Sequence, residues 1–170
     1  GVAHDAAFVH LRKGEQRDPA HLARNPQGLV PVLELDDGTV LTQSLAILEW
    51  LEETRPTPAM LPADPIERAR ARAFALAIAC EIHPVQNLRV LNRLRRDAGF
   101  DDAAVTAWAA AINAEGLEAA EAMVAGRPGR FLFGDGPTIA EICLVPQLGN
   151  ARRFGVDVTR FPRLLAAEAA

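Results

Sequence analysis

A chain of 170 residues that is 49% hydrophobic and 24% charged has the composition of a folded globular protein, with length enough for one domain or two small ones without disulfide staples. Eighteen Lys and Arg against 22 Asp and Glu leave a formal charge of -4, which excludes a global positive field for nucleic acid or anionic lipid. Any anion must therefore be held by a local site.

Taken in order, the chain opens with a strand expected around Ala3 to Leu11 and a short helix introduced by Asp18 and Pro19. A strand follows from Val30 to Leu35, Asp37-Gly38 supplies a hairpin turn, and Thr39 to Leu41 forms a second short strand. A helix from about Gln43 to Glu53 carries Leu45, Leu48 and Trp50 or Leu51 as its apolar face. Such a unit has an open sheet edge and little to cover Val30, Val32, Leu33 and Leu35, so a further element preceding Gly1 is expected. Pro56, Pro58, Pro62 and Pro65 then interrupt the pattern and mark a linker over 56–65.

Beyond the linker the period is helical. Ile66 to Arg96 reads as a long helix, apolar all round in its middle, that Pro84 kinks or divides. Val105, Trp108, Ile112, Gly116, Ala119 and Met123 step along a second helix ending near Gly126. Thr138 and Glu141 form a capping-box pattern at the start of a third, and a last helix begins at Phe161-Pro162. Domain organisation is thus a partial α/β unit over 1–55 and an all-helical one over 66–170.

The longest apolar run in the middle of the chain, Ala73 to Cys80, is eight residues, far short of the ~20 that cross a membrane. Cys80 and Cys143 lie in apolar surroundings without a CxxC or Cys/His cluster, the pattern of buried free thiols in a reducing cytoplasm. His4 and His10 lack adjacent ligands, so no metal site is expected. No phosphate-binding glycine loop or nucleophile elbow is present.

Two segments carry chemistry in the first half. In Asn25 to Pro31 a proline stands directly at a strand start, either as an ordinary trans edge proline or as a cis one that leaves the Val30 main chain open to an extended ligand. Thr42-Gln43-Ser44 opens a helix, where free amides and the Ser44 hydroxyl serve as a cap or as an anion site. In the second half, His83, Asn87 and Arg89 surround a proline in an apolar helix, where buried polar groups need partners and a ligand could supply them.

Residues 25–53 (NPQGLVPVLELDDGTVLTQSLAILEWLEE), 79–94 (ACEIHPVQNLRVLNRL) and 134–164 (GDGPTIAEICLVPQLGNARRFGVDVTRFPRL) together resemble the zeta class of the glutathione transferase superfamily, which contains maleylacetoacetate and maleylpyruvate isomerases. The likeness runs along essentially the whole chain. VP and QS are shared across the superfamily, and ACEIHPVQNLRVL is specific to the class. The resemblance implies a thioredoxin-like α/β domain whose first strand and helix are absent here, an all-α helical bundle domain completing the acceptor pocket, glutathione as cofactor, and a homodimer.

Carried over residue by residue, Val30 before a cis Pro31 pairs with the cysteinyl part of glutathione, and Gln43 and Ser44 hold its γ-glutamyl carboxylate. Gln16 stands at another glutathione contact, His83 and Asn87 lie beside the thiol and glycine ends, and Arg89 and Arg153 meet substrate carboxylates. The thiol-activating loop of the family falls upstream of Gly1. The implied activity is isomerisation of a maleyl keto acid in aromatic amino-acid or aromatic compound degradation, by reversible thiolate addition. Glutathione conjugation, dehalogenation of α-halo acids, and a non-catalytic module of the same fold remain as alternatives.

Overall fold

Asp37-Gly38 turns the chain as its sequence predicts. Gly38 adopts φ +83°, its N–H donates to the Leu35 carbonyl at 2.9 Å, and the Leu35 N–H donates to the Thr39 carbonyl at 2.9 Å. The Asp37 carboxylate accepts from the Thr39 N–H at 2.8 Å, completing a three-residue hairpin loop with glycine at its left-handed position. Strand β1 (Val32–Glu34) and strand β2 (Val40–Thr42) therefore pair antiparallel, with Val32 opposite Thr42, Leu33 opposite Leu41 and Glu34 opposite Val40.

The computed structural model describes residues 2–170, which form two compact units, one ending at Arg55 and the other Pro56–Ala170. The strand expected at Ala3 to Leu11 does not form. Residues 2–10 run without regular structure into two 3-10 turns, Leu11–Lys13 and Glu15–Arg17. An extended segment becomes a strand only beside a partner, and the one sheet among the described residues is the β1–β2 hairpin. Helix α1 (Pro19–Arg24) precedes the hairpin and α2 (Ser44–Thr54) follows it. No Ala, Val, Leu, Ile, Met, Phe or Trp of residues 2–55 is fully buried; His21, Asn25, Gly28 and Glu52 are the buried residues there.

The second unit holds the apolar core. Helix α3 (Pro65–Leu76) starts where Asp64 accepts from the N–H groups of Ile66 and Glu67, with Pro65 in the first turn. The long helix expected to run to Arg96 is divided. A π-helical turn, Ala77–Ile82, succeeds α3, and α4 (Leu88–Ala98) begins only after His83–Asn87. Pro84 explains the break: it has no N–H to donate and its ring would collide with the Cys80 carbonyl four residues back, so the hydrogen bond before it slips to His83 N–H on the Ile78 carbonyl.

Helix α5 (Asp102–Met123), α6 (Ile139–Arg153) and α7 (Pro162–Glu168) complete the unit. Phe74, Ile78, Ile82, Leu117, Leu144, Leu148, Phe161 and Leu164 are all buried between these helices. Gly116 permits the closest approach, since a Cβ there would lie 2.4 Å from Ile82 Cγ1. At the start of α6, the buried Glu141 carboxylate accepts from the Thr138 N–H and hydroxyl, both at 2.8 Å, and from the Leu132 N–H at 2.6 Å. Thr138 Oγ1 in turn accepts from the Ala140 N–H at 3.2 Å.

Candidate active site

In the first unit, the turn before β1 is held from below. His21 Nε2 and Asn25 Nδ2 both donate to the Leu29 carbonyl at 2.9 Å, and the Gln27 N–H donates to Asn25 Oδ1 at 3.1 Å. Gly28 adopts φ +62°, and a Cβ there would lie 3.1 Å from the Gln16 carbonyl oxygen, so glycine lets the Gln16 segment pack against the turn. The Val30–Pro31 bond is cis, Val30 is 43% exposed, and its N–H and C=O engage no backbone partner among the described residues.

Gln43 Nε2 donates to Gln27 Oε1 at 2.7 Å, joining this turn to the start of α2. Gln43 adopts φ +72°, an unusual value for a residue with a side chain, and it does not cap α2. The α2 N-terminus is thus left with uncapped amides and the exposed Ser44 at its first position. Gln16 Oε1 is buried without a hydrogen-bond partner, an acceptor that awaits an N–H donor. The structure therefore gathers Gln16, Val30, Gln43 and Ser44 around one turn through Gly28 and Gln27.

In the second unit, the break between the π turn and α4 presents His83 and Asn87 together, with Asn87 Nδ2 3.4 Å from His83 Nε2. Asn87 also caps α4, its Oδ1 accepting from the Arg89 N–H at 3.4 Å. Burial among its neighbours holds the His83 imidazole below its ordinary pKa even though the residue keeps contact with solvent, which favours the neutral ring at neutral pH. The Val85 carbonyl accepts from Trp108 Nε1 at 3.2 Å, and buried Gln86 Oε1 accepts from Asn150 Nδ2 at 2.6 Å.

The arginines separate by partner. Arg152 makes a two-pronged pair with Glu168, and Arg127 is bound to Glu67 and the Leu132 carbonyl. Arg89 and Arg153 are exposed and have no carboxylate partner among the described residues; the Arg153 guanidinium lies 5.4 Å from the Phe154 ring centre. The cysteines depart from the expected burial. Cys80 is exposed, while Cys143 is partly buried and its thiol is pushed up to about 11 by burial, with Cys80 adding to the effect. Cys143 is thus a protonated thiol at neutral pH, and no group of three or more metal-ligating side chains occurs among the described residues.

His21, Asn25, Gln27, Gln86 and Asn150 are the polar residues that sequence reasoning missed. The chain spacing offered one signal, since Asn25 to Gln27 is an Asx-turn pattern.

Residues 1–54 match the family described as glutathione S-transferase, N-terminal domain, and residues 102–167 match its C-terminal domain. A maleylpyruvate isomerase of Ralstonia is 49% identical over all of this chain and 81% of its own length. The holo structure of a maleylpyruvate isomerase described as a bacterial zeta-class glutathione S-transferase superposes with a TM-score of 0.91 at 50% identity, covering 95% of this chain and 76% of that one. The chain belongs to the zeta class of the glutathione transferases. Its hairpin, α1 and α2 are the thioredoxin-like part of that fold, and α3 to α7 are the helical part. A maleylacetoacetate isomerase of Anaeromyxobacter dehalogenans, solved with dicarboxyethyl glutathione and citrate in its active site, is 43% identical with a TM-score of 0.85, over 99% of this chain and 74% of that one.

Proposed function

We propose that this protein is a glutathione-dependent cis-trans isomerase of a maleyl keto acid, maleylpyruvate or maleylacetoacetate, acting in aromatic degradation. The observation that carries the reading is the His83–Asn87 turn, whose solvent-exposed imidazole is held below its ordinary pKa, in a unit whose Arg89 and Arg153 have no carboxylate partner among the described residues. Similarity to maleyl acid isomerases along the whole chain supports it.

The residues fit glutathione. The uncapped α2 amides and Ser44 suit its γ-glutamyl carboxylate, with Gln43 beside them, and the open Val30 main chain next to Pro31 suits its cysteinyl amide. The orphaned Gln16 oxygen suits a ligand N–H, and it is the resemblance to the zeta class that assigns His83 and Asn87 of the helical unit to the thiol and glycine ends. What glutathione supplies when bound is a thiolate for reversible addition to the cis double bond, which permits rotation without net consumption.

This chain's residues do the rest. Arg89 and Arg153, both exposed and free of carboxylate partners among the described residues, grip the two ends of the dicarboxylate and offset the negative charge that develops on its carbonyl oxygen, as guanidinium forks can. His83, neutral at working pH, donates or accepts a hydrogen bond near the thiol without adding a competing charge. The division of labour is the γ-glutamyl and cysteinyl contacts of glutathione by residues 1–55, a linker over 56–65, and acceptor binding, with His83 and Asn87 toward glutathione, by residues 66–170.

The proposed assembly is a homodimer in the cytoplasm. Ile66, at 60% exposure, and Leu76, at 46%, lie on one stripe with the exposed Ala69, Ala73 and Cys80, an apolar surface of the kind that subunits cover. No helix among the described residues is long and apolar enough to cross a membrane. Absorbance-monitored conversion of maleylpyruvate to fumarylpyruvate, dependent on glutathione, tests the activity, and sedimentation equilibrium tests the dimer. A protein that neither binds glutathione nor turns over the acid refutes the reading.

A further inference from the structure

The His83–Asn87 turn joins the flanking helices only at its two ends, where the His83 N–H donates to the Ile78 carbonyl at 2.9 Å and the Asn87 carbonyl accepts from the Leu91 N–H at 3.0 Å. Its own closing bond, Asn87 N–H to the Pro84 carbonyl, is long at 3.4 Å. Its placement therefore depends on side chains from elsewhere. One of them is Asn150, whose Nδ2 reaches Gln86 Oε1 at 2.6 Å across 64 residues of sequence, where Gln86 is only 3% exposed. Asn150 sits three residues before Arg153 on α6, which puts both on one helix face. Helix α6 is itself anchored by the Glu141 network at its start, and a second buried amide pair, Gln147 donating to Asn113 of α5 at 2.5 Å, contacts no residue of the turn.

We propose that the Gln86–Asn150 hydrogen bond is a positioning clasp that sets the His83–Asn87 turn against Arg153, so that the cofactor end and the carboxylate end of the acceptor site stay in register. This rests on the isomerase reading above. Gln86 and Asn150 touch neither cofactor nor substrate; they act through the residues they hold. A lost clasp lets the turn drift relative to α6, and a misplacement of about 1 Å at a reacting centre costs up to ~100-fold in rate.

The test compares Gln86→Leu, Asn150→Leu and their double variant with Gln147→Leu, which breaks the other buried amide pair of α6 without touching the turn. Asn150→Ala, at a half-buried position, is the milder variant if Gln86→Leu does not fold. Each clasp variant is expected to lower kcat/KM for maleylpyruvate about tenfold or more. The double variant should be no worse than the poorer single, because the two side chains act as one contact. Gln147→Leu should melt at least as low as the clasp variants yet keep kcat/KM within about twofold of the parent, since a merely structural loss does not misalign the site.

Trp108 gives a second readout, because its indole donates to Val85 in the same turn. In a Trp50→Phe background its emission should shift in the clasp variants and not in Gln147→Leu. Unchanged kcat/KM in the clasp variants of an active parent, or an equal loss in Gln147→Leu, overturns the clasp and leaves the isomerase reading standing. An inactive parent overturns that reading instead, and Trp108 emission then decides whether Asn150 holds the turn: no shift overturns the clasp as well.

Discussion

The approach of α5 to the π turn makes a quantitative prediction for Gly116→Ala. A Cβ at position 116 would stand 2.4 Å from Ile82 Cγ1 and 2.5 Å from its Cδ1, more than 1 Å inside the ~3.5–4.0 Å at which carbon atoms rest. Ile82 is 2% exposed, so its side chain has no open space to swing into, and overpacking of this kind costs about 1–3 kcal/mol. Helix propensity works the other way, since alanine is better than glycine by ~1 kcal/mol in a helix interior. Gly149→Ala separates the two effects, because Gly149 is also helical and a Cβ there meets nothing within 4 Å. Subtracting one variant from the other leaves the overpacking, and at ~2–4 °C per kcal/mol for a chain of this size Gly116→Ala should melt about 2–12 °C below Gly149→Ala. Ile82 runs directly into His83, so Gly116→Ala should also weaken glutathione binding, while Gly149→Ala leaves it unchanged. Thermal melts and titration calorimetry read both. A Gly116→Ala protein that melts at or above Gly149→Ala refutes the rigid contact between α5 and the π turn.

Glu141→Ala would strip the partner from the buried N–H groups of Leu132 and Thr138, and with ~1–3 kcal/mol lost for each orphaned donor it should lower the denaturant midpoint clearly, where Glu141→Gln, which keeps one acceptor, lowers it less. Arg153→Ala should raise KM for the maleyl acid by about tenfold or more with little change in melting temperature, whereas Arg152→Ala, whose side chain is already engaged by Glu168, should leave KM unchanged. The fold disfavours protonated His83, so the unfolded chain takes up its proton first as pH falls. Stability tied to this group is therefore complete above the usual imidazole value of ~6.5 and is lost as pH falls through the lowered folded value; His83→Gln should flatten that limb of a stability-against-pH curve.

Local chemistry made much of this fold legible from sequence alone. Asp37-Gly38 specifies its hairpin because only glycine takes the left-handed position cheaply, Asp64-Pro65 and Thr138 to Glu141 announce helix starts, and Pro56, Pro58 and Pro62 keep the segment before α3 out of a helix. What escaped depends on distant partners. Ala3 to Leu11 has strand character but no neighbour among the described residues to pair with. Pro84 announces a break, yet the close approach of Ile82, beside it, to Gly116 thirty-four residues on carries no signal in the local sequence. Gln86 reads as an ordinary polar residue until Asn150 is brought beside it. Cys80 sits in an apolar run that reads as core, but it falls on the outward face of the π turn.

Catalytic use of glutathione is the central claim, and one experiment addresses it directly: following maleylpyruvate and free glutathione together with the purified protein and glutathione well below the acid in concentration. The account predicts many turnovers to the trans product with the glutathione pool intact at the end. Glutathione consumed one for one with the acid, or no trans product at all, would contradict it.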